Sequence, residues 1–194
     1  MHNIICLENE WLFNSQKRSN RFNLETKSIL DCIENFYGCN VIHRSILSKD
    51  NLQYYMKFFT KDKRIFNKYN IIYFACHGWN HSLSLEGENG EEAIDLDELA
   101  EAANGFFKDK IVHFSACRTL SSENAALNFK EKTGARLVSG YKTTVDVMKS
   151  TIADMAYLND LMQIRNVGIM LNEDKSRFWK TYESLLEELN FVIL

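Results

Sequence analysis

The chain contains no proline. Turns that rely on its fixed φ are therefore excluded, and chain reversals must rest on Gly, Asn, Asp and Ser. No function is read from this. An excess of charge of one sign is also missing. Lys and Arg total 23 against 26 Asp and Glu, a formal net charge of −3, and the two signs are interspersed. Such a balance leaves no electrostatic footprint for nucleic acid or anionic lipid, so neither is expected as a partner. No stretch approaches the roughly 18 continuous apolar residues of a membrane span. The start, "MHNIICLENEW", lacks the basic segment and apolar core of a signal peptide. A Cys-x-x-Cys pair, a Gly-x-Gly-x-x-Gly loop and a P-loop are all absent, which leaves thiol redox work and phosphate binding without a motif.

Cysteine is present but not in a disulfide pattern. The five residues Cys6, Cys32, Cys39, Cys76 and Cys117 are odd in number, and four lie in or beside apolar runs. The expectation is reduced, mostly buried thiols in a cytosolic protein. Cys117 is the one whose surroundings suggest more.

At 194 residues, 45% hydrophobic and 25% charged, the chain reads as one globular domain over residues 1–194. An apolar run in "NIICLENEW" predicts a strand. "LETKSILDCIENFYG" has helical spacing and stops at Gly38. "CNVIHRSI" predicts a strand, "KDNLQYYMKFFTKDKRIFNKYN" one aromatic-rich helix capped near Asp50, and "IIYFAC" a strand covered on both faces. An acidic insertion follows, "EGENGEE", with an Asn-Gly pair that predicts a small hairpin. Asp95 and Glu98 predict a capping pair opening a short helix. "KIVHFSA" is the next buried strand, "SSENAALNFKEKTG" a helix, and "ARLVSGY" a strand; the remainder reads as two helices. Strands alternating with helices predict an α/β fold with a mainly parallel sheet covered on both sides.

Two of the buried runs end on reactive side chains. "IIYFAC" is followed at once by His77, and "KIVHFSA" by Cys117. In parallel sheets function collects at the carboxyl ends of strands. If these two strands are neighbours, about 4.8 Å apart, an imidazole and a thiol share one rim. The imidazole can take the thiol proton, and the dipole of the helix after Cys117 would favour the thiolate. Gly78 lets the backbone approach a substrate carbonyl. Its N–H and that of Cys117 are the candidate oxyanion donors.

A strand ending in His-Gly followed by a strand ending in Ala-Cys resembles the caspase-like (clan CD) cysteine peptidases. Their signature is Q-A-C-[RQG]-G with the His about 50 residues upstream. Here the motif is Ser115-Ala116-Cys117-Arg118-Thr119, with His77 forty positions upstream (117 − 77). Ser for Gln and Thr for Gly set the chain apart from animal caspases. It is closer to the short bacterial CHAT-type and separase-like proteins, over roughly Asn3 to Lys149. The resemblance implies a caspase-like three-layer α/β/α sandwich and a cysteine endopeptidase that cleaves protein or peptide substrates with a Cys117–His77 dyad. It also implies activation by a protein partner. "LVSGYKTTVDV" is similar to the segment that carries an acidic specificity residue in these relatives. Asp146 is thus the candidate for the pocket that takes a basic side chain before the cleaved bond. A helix cap or surface carboxylate is the other reading of Asp146.

No metal or organic cofactor is called for. Cys76, His77, His81, His113 and Cys117 are zinc-capable, but Cys76 and His77 should face opposite ways, and four residues of strand separate His113 from Cys117 by roughly 13 Å. The serious alternative is a catalytically silent caspase-like module that binds or regulates.

Overall fold

The structure, a computed structural model, describes residues 2–9, 26–86 and 92–194. Its first strand, β1 (Ile4–Glu8), is buried along its whole length. Helix α1 (Thr26–Tyr37) carries the chain to β2 (Val41–Ser45). Then α2 (Lys49–Lys61) and α3 (Lys63–Phe66) lead to β3 (Ile71–Ala75). The predicted single helix is thus two. Asp62 leaves helical geometry (φ −113°, ψ 70°) and accepts the Ile65 N–H as the cap of α3. The cap of α2 is Ser48, two residues before the expected Asp50.

After β3 the chain leaves the main sheet. Strands β4 (His77–Trp79), β5 (Ser82–Leu85) and β6 (Glu92–Asp95) form a separate antiparallel sheet. The predicted hairpin is its β5–β6 pair; the Asn89-Gly90 turn and most of the acidic stretch lie outside the described residues. Helix α4 (Leu96–Ala103) opens with the expected reciprocal cap between Asp95 and Glu98. The chain then re-enters the main sheet as β7 (Ile111–Ser115), crosses by α5 (Glu123–Thr133), and returns as β8 (Leu137–Tyr141). Gly134 closes α5 at φ 65°, the left-handed conformation that a Cβ would strain. Helices α6 (Val147–Gln163) and α7 (Arg177–Glu188) follow, joined by a 3-10 turn at Val167–Leu171.

The last predicted helix runs too far. Asn190 takes φ 47°, and β9 (Phe191–Ile193) pairs antiparallel with β8. The edge hydrogen bonds of β8 outweigh the helical pattern of "LLEELNF" there.

The main sheet has the order β2-β1-β3-β7-β8-β9, parallel except for β9. Alternate side chains enter two cores. One holds Ile5, Phe74 and Phe114 against Met56, Leu99 and Phe129 of α2, α4 and α5. The other holds Ile4, Tyr73 and Ile111 against Leu30, Tyr157 and Phe178 of α1, α6 and α7. This is a three-layer α/β/α arrangement around a mainly parallel six-stranded sheet. Among the described residues no helix is long and apolar enough to cross a membrane.

Candidate active site

The two buried runs that end on His77 and Cys117 are adjacent strands. In β3 and β7, Ala75 is in register with Ser115, and the Cys76 N–H extends the ladder by one bond to the Ser115 carbonyl (3.4 Å). His77 and Cys117 each stand two residues past that registered pair, on the same rim. Beyond it the chains stay together. A Cβ built on Gly78 would lie 2.2 Å from the Cys117 carbonyl oxygen and 2.5 Å from Thr119 Oγ1, so only glycine allows the His77-Gly78 backbone to lie against the Cys117 turn. The His81 N–H donates to the Arg118 carbonyl (3.1 Å), a second tie between the two segments.

The turn after β7 is held from the other side by the segment that follows β8. The Arg118 N–H donates to Thr143 O (3.0 Å) and the Leu120 N–H to Tyr141 O (3.1 Å). Arg118 adopts φ 54°, uncommon for a side chain of its size, and its guanidinium lies 4.4 Å over the Trp79 ring. Trp79 is 57% exposed. A cation on an aromatic face thus flanks the His77–Cys117 pair.

Cys117 is partly exposed and His77 exposed. The Val145 N–H donates to Cys117 Sγ (3.4 Å), and the thiol in turn lies 4.0 Å from the Val145 carbonyl oxygen. Val145 immediately precedes Asp146, the N-cap of α6. Helix α5, the helix expected to act on the thiol, begins six residues after Cys117 (123 − 117), and the segment leading into α6 meets the sulfur through Val145. The Cys117 N–H makes no hydrogen bond among the described residues, as an oxyanion donor requires.

Asp146 is exposed, and its Oδ1 accepts the Lys149 N–H (3.0 Å). It is therefore a helix cap, one residue from the segment that touches the sulfur. Its Oδ2 has no hydrogen-bond partner among the described residues. Three of the other thiols are unsuited to reaction. Burial pushes Cys76 up to about 12, Cys6 well above the ordinary thiol range, and Cys39 upward. Cys32 is exposed on α1, away from the sheet rim.

Beneath the rim lies a polar cluster that sequence reasoning missed. Asp154 of α6 is 1% exposed and accepts four hydrogen bonds from three strands. They come from Tyr73 OH (2.8 Å), Ser115 Oγ (2.5 Å), Tyr141 OH (2.5 Å) and His113 Nε2 (2.9 Å). His113 Nδ1 meets Ser139 Oγ at 2.9 Å. Burial works to raise the Asp154 carboxyl. The charge on His113 and the donated hydrogen bonds outweigh it and hold the group below the ordinary carboxylate range. Burial first, then the Asp154 charge, push the Tyr73 and Tyr141 phenols well up. His113 is thus a satisfied buried partner of Asp154, not a metal ligand. A signal was present. Ser150, Asp154, Tyr157, Leu158 and Leu161 are buried along one side of α6, and an acid in such a stripe needs donors opposite it.

The model of one protein family, described as a family of unknown function (DUF6642), matches residues 1–194. No curated protein matches the chain.

Proposed function

The chain belongs to the DUF6642 family, whose function is unknown, and from that premise we propose that it is a caspase-like cysteine endopeptidase of the CHAT and separase type. One observation carries the reading. Gly78 lies in backbone contact with the Cys117 turn, at the shared rim where His77 and Cys117 follow two adjacent strands. His77 takes the proton of Cys117, and the sulfur attacks the peptide carbonyl carbon. The oxyanion rests on the N–H groups of Cys117 and Gly78, donors whose loss typically costs about 2.7–4 kcal/mol each in such sites. The imidazolium returns its proton to the leaving amine, and water then hydrolyses the thioester.

Asp146, one residue after Val145 and exposed, serves this reading as the group that selects a basic side chain. The substrate is a protein or peptide, an activating protein partner completes the cleft, and no metal or organic cofactor enters the chemistry. Five unpaired thiols suit work in the cytoplasm. The second reading is a silent binding or regulatory module. The exposed Trp79 ring under Arg118 favours it, as a ready contact patch.

An electrophilic peptide probe separates the two. A covalent adduct on Cys117, lost in Cys117→Ala and His77→Ala while both remain folded, is the expected result. No adduct on a folded wild-type chain removes the peptidase reading. In a screen of basic, acidic and apolar peptides, a preference for the latter two that persists in Asp146→Ala removes the specificity assignment.

A further inference from the structure

The first two strands hold a second group of chemically competent side chains, away from the dyad. Cys6 and Glu8 lie two apart on β1 and so project to one face, and His43 on β2 is in direct register with Cys6. The Cys6 sulfur, a Glu8 carboxylate oxygen and a His43 ring nitrogen all lie within 4.8 Å of one another. We propose that Cys6, Glu8 and His43 form a binding site for one divalent transition-metal ion of borderline softness, with Zn²⁺ the expected occupant and water as the fourth ligand.

The donor set selects the ion. One sulfur, one nitrogen and one oxygen suit zinc, whereas Ca²⁺ and Mg²⁺ want oxygen throughout. At ordinary zinc bond lengths, tetrahedral donors sit about 3.3–3.6 Å apart. The cluster reaches that with shifts of an ångström or so, including opening of the 2.5 Å contact between His43 Nε2 and Glu8 Oε2.

The supporting shell is built. The Thr26 N–H donates to Glu8 Oε1 (3.2 Å), which leaves Oε2 aimed at His43. Such partners orient metal-binding carboxylates. The end of β1 is pinned on both sides, by the Ile46 N–H to Glu8 O (2.8 Å) and the Asn9 N–H to Ala75 O (2.9 Å). Asn9 Nδ2 also donates to Ile46 O (2.7 Å).

Charge balance points the same way. The Glu8 side chain is 1% exposed, and the buried Cys6 thiol faces it. Without an ion, burial and the nearby carboxylate both keep that thiol protonated. A +2 ion with one thiolate and one carboxylate is neutral overall, the cheapest state for a buried site. Because the ion is held by the thiolate and not the thiol, binding releases a proton. β2 is an edge strand and the His43 side chain is 11% exposed, which gives the ion a way in. Glu8 and Ser115 are separated by one strand, about 10 Å across the sheet, so this ion ties β1 to β2 and does not act on the dyad. The inference stands independently of the peptidase reading.

Cobalt titration of the metal-stripped full-length chain tests it, in a Cys117→Ala background that removes the dyad thiol as a competing ligand. The expected result is one Co²⁺ per chain with a thiolate-to-cobalt charge-transfer band and tetrahedral visible bands. At least one proton is released per ion, and Zn²⁺ displaces the cobalt. Cys6→Ser loses the charge-transfer band and Cys76→Ser keeps it. Because a substitution at Cys6 can harm folding, His43→Gln, at the partly open edge, provides the second arm. It should retain the circular dichroism of the parent and bind at least about tenfold more weakly, the scale on which even supporting residues act. Absence of the band, its survival in Cys6→Ser, or unchanged affinity in folded His43→Gln overturns the site and leaves Glu8 and His43 a buried ion pair.

Discussion

Gly78 and Cys117 touch through their backbones, so closely that a methyl group at position 78 would lie 2.2 Å from the Cys117 carbonyl oxygen. That contact joins the small antiparallel sheet to the turn after β7, at the rim from which His77 and Cys117 both leave the main sheet. Gly78→Ala must push the segments apart. The obstructing atom is backbone, so relief by rotamer change is unavailable. The expected outcome is a loss of about 1–3 kcal/mol in stability, as for other overpacked sites, together with loss of probe labelling at Cys117. Denaturant unfolding and mass spectrometry of the adduct read the two effects separately.

Thiol reactivity should divide sharply. Cys117 and Cys32 are accessible, while Cys6, Cys39 and Cys76 are buried, with Cys76 pushed up to about 12. Mild alkylation at neutral pH should modify the first two within the time that leaves the other three intact. His77→Ala should slow modification of Cys117 and leave Cys32 unaffected. Peptide mapping reads the order. Equal labelling of all five thiols, or a Cys117 rate indifferent to His77, would remove the coupling between the pair.

Asp154 holds β3, β7 and β8 to α6 beneath the rim. Asp154→Asn replaces an acceptor of four hydrogen bonds with a group that brings donors of its own. It leaves His113 Nε2 without its carboxylate partner in a dry site. A destabilisation of about 1–3 kcal/mol is expected, the range for leaving a buried polar group without its partner. The pH dependence follows from the depressed carboxyl. A group whose folded pKa lies below its unfolded value of about 3.9 contributes fully above that value and loses its contribution as pH falls through the folded pKa. The stability gap between wild type and Asp154→Asn should therefore be widest near neutrality and close in acid. A gap that widens below pH 4 contradicts the assignment.

Lys110 behaves in the opposite sense. Its Nζ donates to Tyr69 O (2.7 Å), and burial lowers its pKa to about 8. The unfolded chain then binds more protons than the folded one between about pH 8 and the ordinary lysine value of about 10.4, so Lys110 adds stability as pH rises through that window. The buried thiols pull stability down over the same range in both proteins, so the readout is the difference: from pH 8 to 10 wild type should gain stability relative to Lys110→Met. Parallel curves would show that Lys110 is not the titrating group.

Some of this was determined by sequence alone. The continuous apolar run at 71–76 is a strand buried on both faces, because a covered parallel strand tolerates little polarity, and the mostly apolar segment at 111–115 is its neighbour despite His113 and Ser115. The Asp95–Glu98 cap and the Gly134 stop follow from groups three or four residues apart, within reach of a single helical turn. The positions of His77 and Cys117 at strand ends were legible for the same reason. Their adjacency was not. It depends on β3 and β7 pairing across an intervening sheet and helix, a choice made by packing of the whole core. The same holds for β9, whose residues carry a helical pattern until the open edge of β8 claims them. It holds also for Asp154 and its four donors, and for Cys6, Glu8 and His43. Local periodicity fixes which face a side chain takes; only the order of strands fixes what stands opposite it.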